Sequence, residues 1–96
     1  MIRRLVRMHF KEEFISRFRA LFAERKARIL NFPGCVSLEL YQDGANASIW
    51  YTWSTWENEA DLEAYRQSAL FRETWQEVKQ GFQKPAQAFT LRPENE

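Results

Sequence analysis

Between residues 47 and 56 the chain places large aromatic side chains at both odd and even positions: Trp50 and Trp56 in one set, Tyr51 and Trp53 in the other. A strand points successive side chains to opposite faces, so an extended segment of this kind needs cover on both. The chain has 96 residues, enough for one domain, expected to span 1–96. A domain this short buries only about 60–65% of the surface its unfolded form exposes. An internal disulfide cannot compensate, because Cys35 is the single cysteine. With eight Phe, four Trp and three Tyr the chain is 16% aromatic, more than one small core readily absorbs. A cavity or a subunit interface accounts for the surplus.

The pattern on either side predicts the rest of the fold. Residues 2–10 alternate, with Arg4, Val6, Met8 and Phe10 on one face and Arg3, Leu5, Arg7 and His9 on the other, which predicts a strand. Residues 11–30 change period: Phe14, Phe18, Leu21, Phe22 and Ile29 trace one side of a helix. Glu12 and Glu13 fall in its first turn, and Arg25, Lys26 and Arg28 in its last, where each complements the macrodipole and faces solvent. Pro33-Gly34 ends it. Residues 35–42 alternate again, with Val36, Leu38 and Leu40 against Ser37, Glu39 and Tyr41, and the Asp43–Asn46 turn joins them to the aromatic strand as a hairpin. Asn58 or Thr55 caps a second helical region, which Ser68 divides in two. Phe71, Trp75, Val78 and Phe82 continue its apolar side until Gly81 and Pro85 stop it. Residues 86–92 form a last strand, and 93–96 a polar tail. The order β-α-β-β-α-β is the split arrangement of ferredoxin-like α+β folds.

Charge narrows the partners. Fourteen Lys and Arg against thirteen Asp and Glu leave a net charge of +1, without the basic excess of nucleic-acid-binding domains. No apolar run nears the ~20 residues of a membrane span. The N-terminus lacks the apolar stretch of a secretory signal, so a cytoplasmic location is expected.

Three blocks carry a family resemblance: Phe32-Pro33-Gly34-Cys35; Trp56-Glu57-Asn58-Glu59; and Leu62 to Phe71, followed by Trp75 and Lys79. Phe82-Gln83-Lys84-Pro85-Ala86 completes the set. With the element order, these make residues 2–92 resemble the antibiotic biosynthesis monooxygenase (ABM) family of dimeric α+β barrels. The resemblance implies a four-stranded antiparallel sheet with helices on one face, and two such sheets packed together in a homodimer. A sheet apolar on both faces but covered by helices on one points the same way, since a symmetric copy is the commonest cover.

Candidate site residues each have a plainer reading beside the functional one. His9, the only histidine, is a candidate general base or simply a polar strand residue. Without a second histidine, and with Cys35 alone, no protein-built zinc site is expected. Tyr65 is a candidate hydrogen-bond donor to a phenol or carbonyl, and Arg72 a candidate stabiliser of an enolate or peroxide; as plain structure they are a packed ring and a solvated cation. Trp56, Tyr65, Phe71 and Trp75 would wall a substrate pocket between the sheet and the second helical region, or else fill that space. For Trp56 the ligand role is implied by the resemblance.

The resemblance implies an oxygenase acting on a small aromatic phenol or quinol without metal, flavin or other cofactor. The alternative is a non-catalytic dimer, either ligand-binding or structural; an isomerase or lyase of a small carbonyl compound is a further option. Haem degradation, practised by relatives of this fold, is disfavoured, because the position of their haem-ligating histidine is occupied here by Trp75.

Overall fold

Alternating burial along Ile2–Phe10 builds strand β1, whose Ile2, Met8 and Phe10 are buried. A single 3-10 turn, Glu12–Phe14, leads into helix α1, Ile15–Leu30. The computed structural model describes residues 1–95; Glu96, the end of the expected tail, lies outside the described residues. Strands β2 (Cys35–Gln42) and β3 (Ile49–Trp56) form the expected hairpin. Helices α2 (Glu59–Arg66) and α3 (Ala69–Lys79) follow, and β4 (Phe82–Leu91) closes the sheet. The sheet is antiparallel, in the order β2-β3-β1-β4.

Three boundaries differ from expectation, each for a local reason. Glu12 and Glu13 sit in the 3-10 turn rather than the first turn of α1. Strand β3 starts at Ile49 because side chains prolong the turn: the Asp43 carboxylate accepts from the Ala45 and Asn46 amides, and the Asn46 side chain from the Ser48 amide. Strand β4 starts at Phe82 and runs through Pro85. Proline is tolerated there because β4 is an edge strand, and its register against β1 shifts twice between Arg7 and Phe10.

Two glycines set the corners. Gly34 has φ +86°, and a β carbon there would run into the Asp61 side chain. A β carbon on Gly81 would run into the Phe14 ring.

Period two splits the aromatic run of β3. Trp50 and Trp56 turn toward the helices and are buried, with Trp56 only 1% exposed. Tyr51 and Trp53 turn to the other face, where Trp53 neighbours Leu5 and Glu39, and Tyr51 neighbours Tyr41 and Arg7. Phe89 pairs with Leu5 on that same face and is 46% exposed; Leu91 is 40% exposed. Among the described residues no helix is long and apolar enough to cross a membrane.

The core comes as two clusters rather than one. Met8, Phe10, Phe18, Leu21, Trp50 and Val78 form the larger, and Ile2, Trp56 and Leu62, with Phe32, Cys35 and Tyr65 against them, the smaller.

Candidate functional site

The space between sheet and helices is not filled. A chamber of about 320 Å³ touches residues of both core clusters, and its volume lies at the lower end of small-molecule sites. Its floor is the inward face of the sheet: Arg4, Val6 and Met8 of β1, Leu38 of β2, Thr52, Ser54 and Trp56 of β3, and Ala88 of β4. Helix α1 supplies Phe18, Leu21, Phe22, Arg25 and Ile29. Leu62, Tyr65 and Arg66 of α2, with Phe71, Thr74, Trp75 and Val78 of α3, complete the wall.

The break between α2 and α3 shapes that wall. Asn58 caps α2, its side chain accepting from the Asp61 amide at 2.9 Å. The Ser68 hydroxyl donates to the Tyr65 carbonyl at 2.6 Å and accepts from the Phe71 amide at 3.1 Å. One side chain thus ends one helix, starts the next, and sets the angle between two lining residues. A line of rings follows: Trp56 stacks on Tyr65 at 4.9 Å, Tyr65 meets Phe71 edge-on at 5.3 Å, and Phe71 stacks on Trp75 at 5.9 Å. Trp75 continues edge-on to Phe82 at 5.5 Å.

The four residues expected to wall a pocket are therefore brought together. His9 and Arg72 are not. His9 shares its alternation with Leu5 and Arg7, on the sheet face away from the chamber, and does not line it. Arg72 is held on the outside of α3, donating to the Gln67 carbonyl at 2.8 Å. Among the described residues no group of three or more His, Cys, Asp or Glu is placed to hold a metal ion.

Burial sets the chemistry of the chamber's polar groups. It pushes the Tyr65 hydroxyl up to about 12, with a smaller contribution from Cys35. Tyr65 is therefore a proton donor throughout the neutral range, and among the described residues its hydroxyl makes no hydrogen bond. Burial likewise raises the Cys35 thiol, which leaves it a poor nucleophile. The Trp56 indole N–H is satisfied by the Ser54 hydroxyl at 3.0 Å.

Two arginines are a correction to the reading of the sequence. Arg25 is not solvated; its side chain is 12% exposed and reaches across to α3, with 2.9 Å to the Thr74 hydroxyl and 2.5 Å to the Glu77 carboxylate. That hydrogen bond to Glu77 raises its pKa. The helical spacing of Phe18, Leu21, Phe22, Arg25 and Ile29 carried the signal, since all five fall on one side. Arg4 shares a strand face with Val6, Met8 and Phe10, and that face is the one that lines the chamber floor.

The sequence model of antibiotic biosynthesis monooxygenases matches residues 1–77. The chain belongs to the antibiotic biosynthesis monooxygenase family. The ABM fold extends through β4. A conserved protein from Methanosarcina mazei Go1 superposes with a TM-score of 0.92 at 22% identity, over 97% of this chain and 92% of that one. A solved antibiotic biosynthesis monooxygenase gives 0.89 at 15%, over 97% and 98%. Rv0793 from Mycobacterium tuberculosis gives 0.89 at 20%, over 99% and 96%. At these identities the structures establish the shared ABM fold, not a shared substrate. No curated protein matches the chain in sequence.

Proposed function

We propose that this chain is a cofactor-independent monooxygenase for a small phenol- or quinol-like aromatic, working as a homodimer. The observation that carries the reading is the ring-walled chamber of about 320 Å³ with Tyr65 on its wall, whose hydroxyl makes no hydrogen bond among the described residues. Stacked and edge-on rings suit a planar substrate and exclude water.

The chemistry asks little of the protein. An ionised phenol passes one electron to O₂, and the aryloxyl radical and superoxide combine at a ring carbon bearing hydrogen. The peroxide takes up a proton; loss of the ring-carbon proton and cleavage of the O–O bond then release water and leave a quinone. One phenol and one O₂ thus become one quinone and one water. Tyr65, which stays protonated, is suited to donate a hydrogen bond to the developing oxyanion. The rings hold substrate and O₂ together in a dry site.

The homodimer rests on the outward sheet face. Leu5, Trp53 and Phe89 form an apolar row across three strands there, with Phe89 46% exposed and Leu5 and Trp53 only partly covered in the single chain.

Oxygen uptake with a panel of naphthols and naphthoquinols tests the oxygenase reading. We expect quinone formed in step with O₂ consumed, and loss of turnover with retained fold in Tyr65→Phe. Aromatic binding without O₂ uptake would leave a ligand-binding dimer; no binding of any aromatic would remove the site.

A further inference from the structure

Three cations and no carboxylate line the chamber among the described residues: Arg4, Arg25 and Arg66. Two are neutralised by the protein. Arg25 pairs with Glu77 at 2.5 Å, and Arg66 with Glu63 at 3.2 Å. Arg4 is different. Among the described residues it forms no ion pair, and its guanidinium donates to the neutral Thr90 hydroxyl at 2.7 Å. Its pKa is lowered by burial first and by the Arg66 charge second, with the Glu63 charge opposing them. Glu63 is engaged by Arg66, so Arg4 is a half-buried cation beside a second cation and without an ion pair of its own among the described residues, which is costly unless something supplies negative charge.

The surroundings show how that charge could arrive. A second, open depression between α2 and β4 is lined by Glu59, Glu63, Arg66, Thr90 and Arg92. It shares Leu62 and Arg66 with the chamber, and its Thr90 is the residue that Arg4 holds. Arg4 thus lies where the polar depression meets the ring-walled interior.

We propose that the chamber takes an organic anion: a planar apolar body against the rings, ending in an acidic oxygen bound by the Arg4 guanidinium. Arg4 is then a specificity-determining residue. An acidic oxygen completes its charge where Thr90 cannot, and the fork geometry of guanidinium suits it. This rests on the chamber being a ligand site, as proposed above, and names the class of ligand.

The test uses 2-naphthoate and its uncharged, nearly isosteric carboxamide, with binding read from quenching of tryptophan fluorescence. In the unaltered protein we expect naphthoate to bind roughly tenfold or more tightly than the amide, the scale of a charge-assisted hydrogen bond. Arg4→Gln should remove that preference and leave the amide within about twofold, so that amide binding also reports an intact fold; Arg4→Lys should retain part of it. Equal affinity for the two probes in the unaltered protein would overturn the proposal and leave the aromatic site standing. Equal loss of both in Arg4→Gln and Arg4→Lys would reduce Arg4 to a tie between β1 and β4, which also overturns it. Binding of neither probe would remove the ligand site and this proposal together.

Discussion

Tyr65 lies at the end of α2, with Trp56 stacked on one side and Phe71 edge-on at another, and this enclosure governs its ionisation. Its folded pKa of about 12 lies above the ordinary value of 10.0. Above pH 10 the unfolded chain has lost this proton while the folded chain keeps it. Tyr65 therefore stabilises the fold fully below pH 10, and the contribution fades as pH rises through about 12. Two units correspond to roughly 3 kcal/mol at most. Urea midpoints measured from pH 9 to 12 should fall faster for the unaltered protein than for Tyr65→Phe. Parallel curves would mean that the hydroxyl titrates as in water. Arg25 offers a second measurement. Glu77→Gln leaves its guanidinium without a full counter-charge in a mostly enclosed position. Because Glu77 is itself 36% exposed, solvent screens the pair, and a loss of about 1 kcal/mol in denaturant unfolding is expected.

At the scale of elements, the bend at Ser68 decides whether there is a chamber at all. A continuous helix from Glu59 to Lys79 would set Tyr65 and Phe71 six residues apart on differing sides, whereas the capped break turns both inward. Asn58 and Ser68 make the same cap interaction at two helix starts. Replacing either by Ala should cost about 1 kcal/mol. The two changes should differ in one respect. Ser68→Ala also removes the bond to the Tyr65 carbonyl, so it should weaken aromatic binding beyond its effect on stability, while Asn58→Ala should not. Equal binding by both variants would show that the bend holds without its hydroxyl. The sequence made this break legible, since Ser68 is followed at helical spacing by Phe71, Trp75 and Val78. It did not reveal that β4 absorbs Pro85, because edge position and strand irregularity depend on which strand lies alongside.

For the whole molecule, the outward sheet face is the surface that a second copy would cover. Leu5, Trp53 and Phe89 form its centre, and Tyr41, 50% exposed, lies toward one edge. Interfaces that complete a fold in this way typically bury about 2,000 Å² or more in total. Sedimentation at micromolar concentration should give a dimer, and Trp53→Asp should shift it to monomer by placing a charge in the row. A stable, fully folded monomer in the unaltered protein would refute the arrangement.

The structure chose Asn58 over Thr55 as the first cap and left Val36 of β2 and Phe89 of β4 exposed. The order of elements, the two alternating faces of β1 and the cap at Ser68 were determined by the sequence alone. Each depends on interactions between residues near in the chain, where period and side-chain chemistry speak directly. The same local reading placed Tyr65, Phe71 and Trp75 on one side of the second helical region. The chamber itself, and the places of Arg4 and Arg25 on its wall, were decided by tertiary structure. Whether aromatic rings fill or enclose a space depends on how far the helices stand from the sheet, which no local spacing encodes. Whether an arginine is solvated, ion-paired or held by a neutral group depends on what the opposite element presents: Glu77 answers Arg25 across 52 residues of chain, and the neutral Thr90 hydroxyl answers Arg4 across 86.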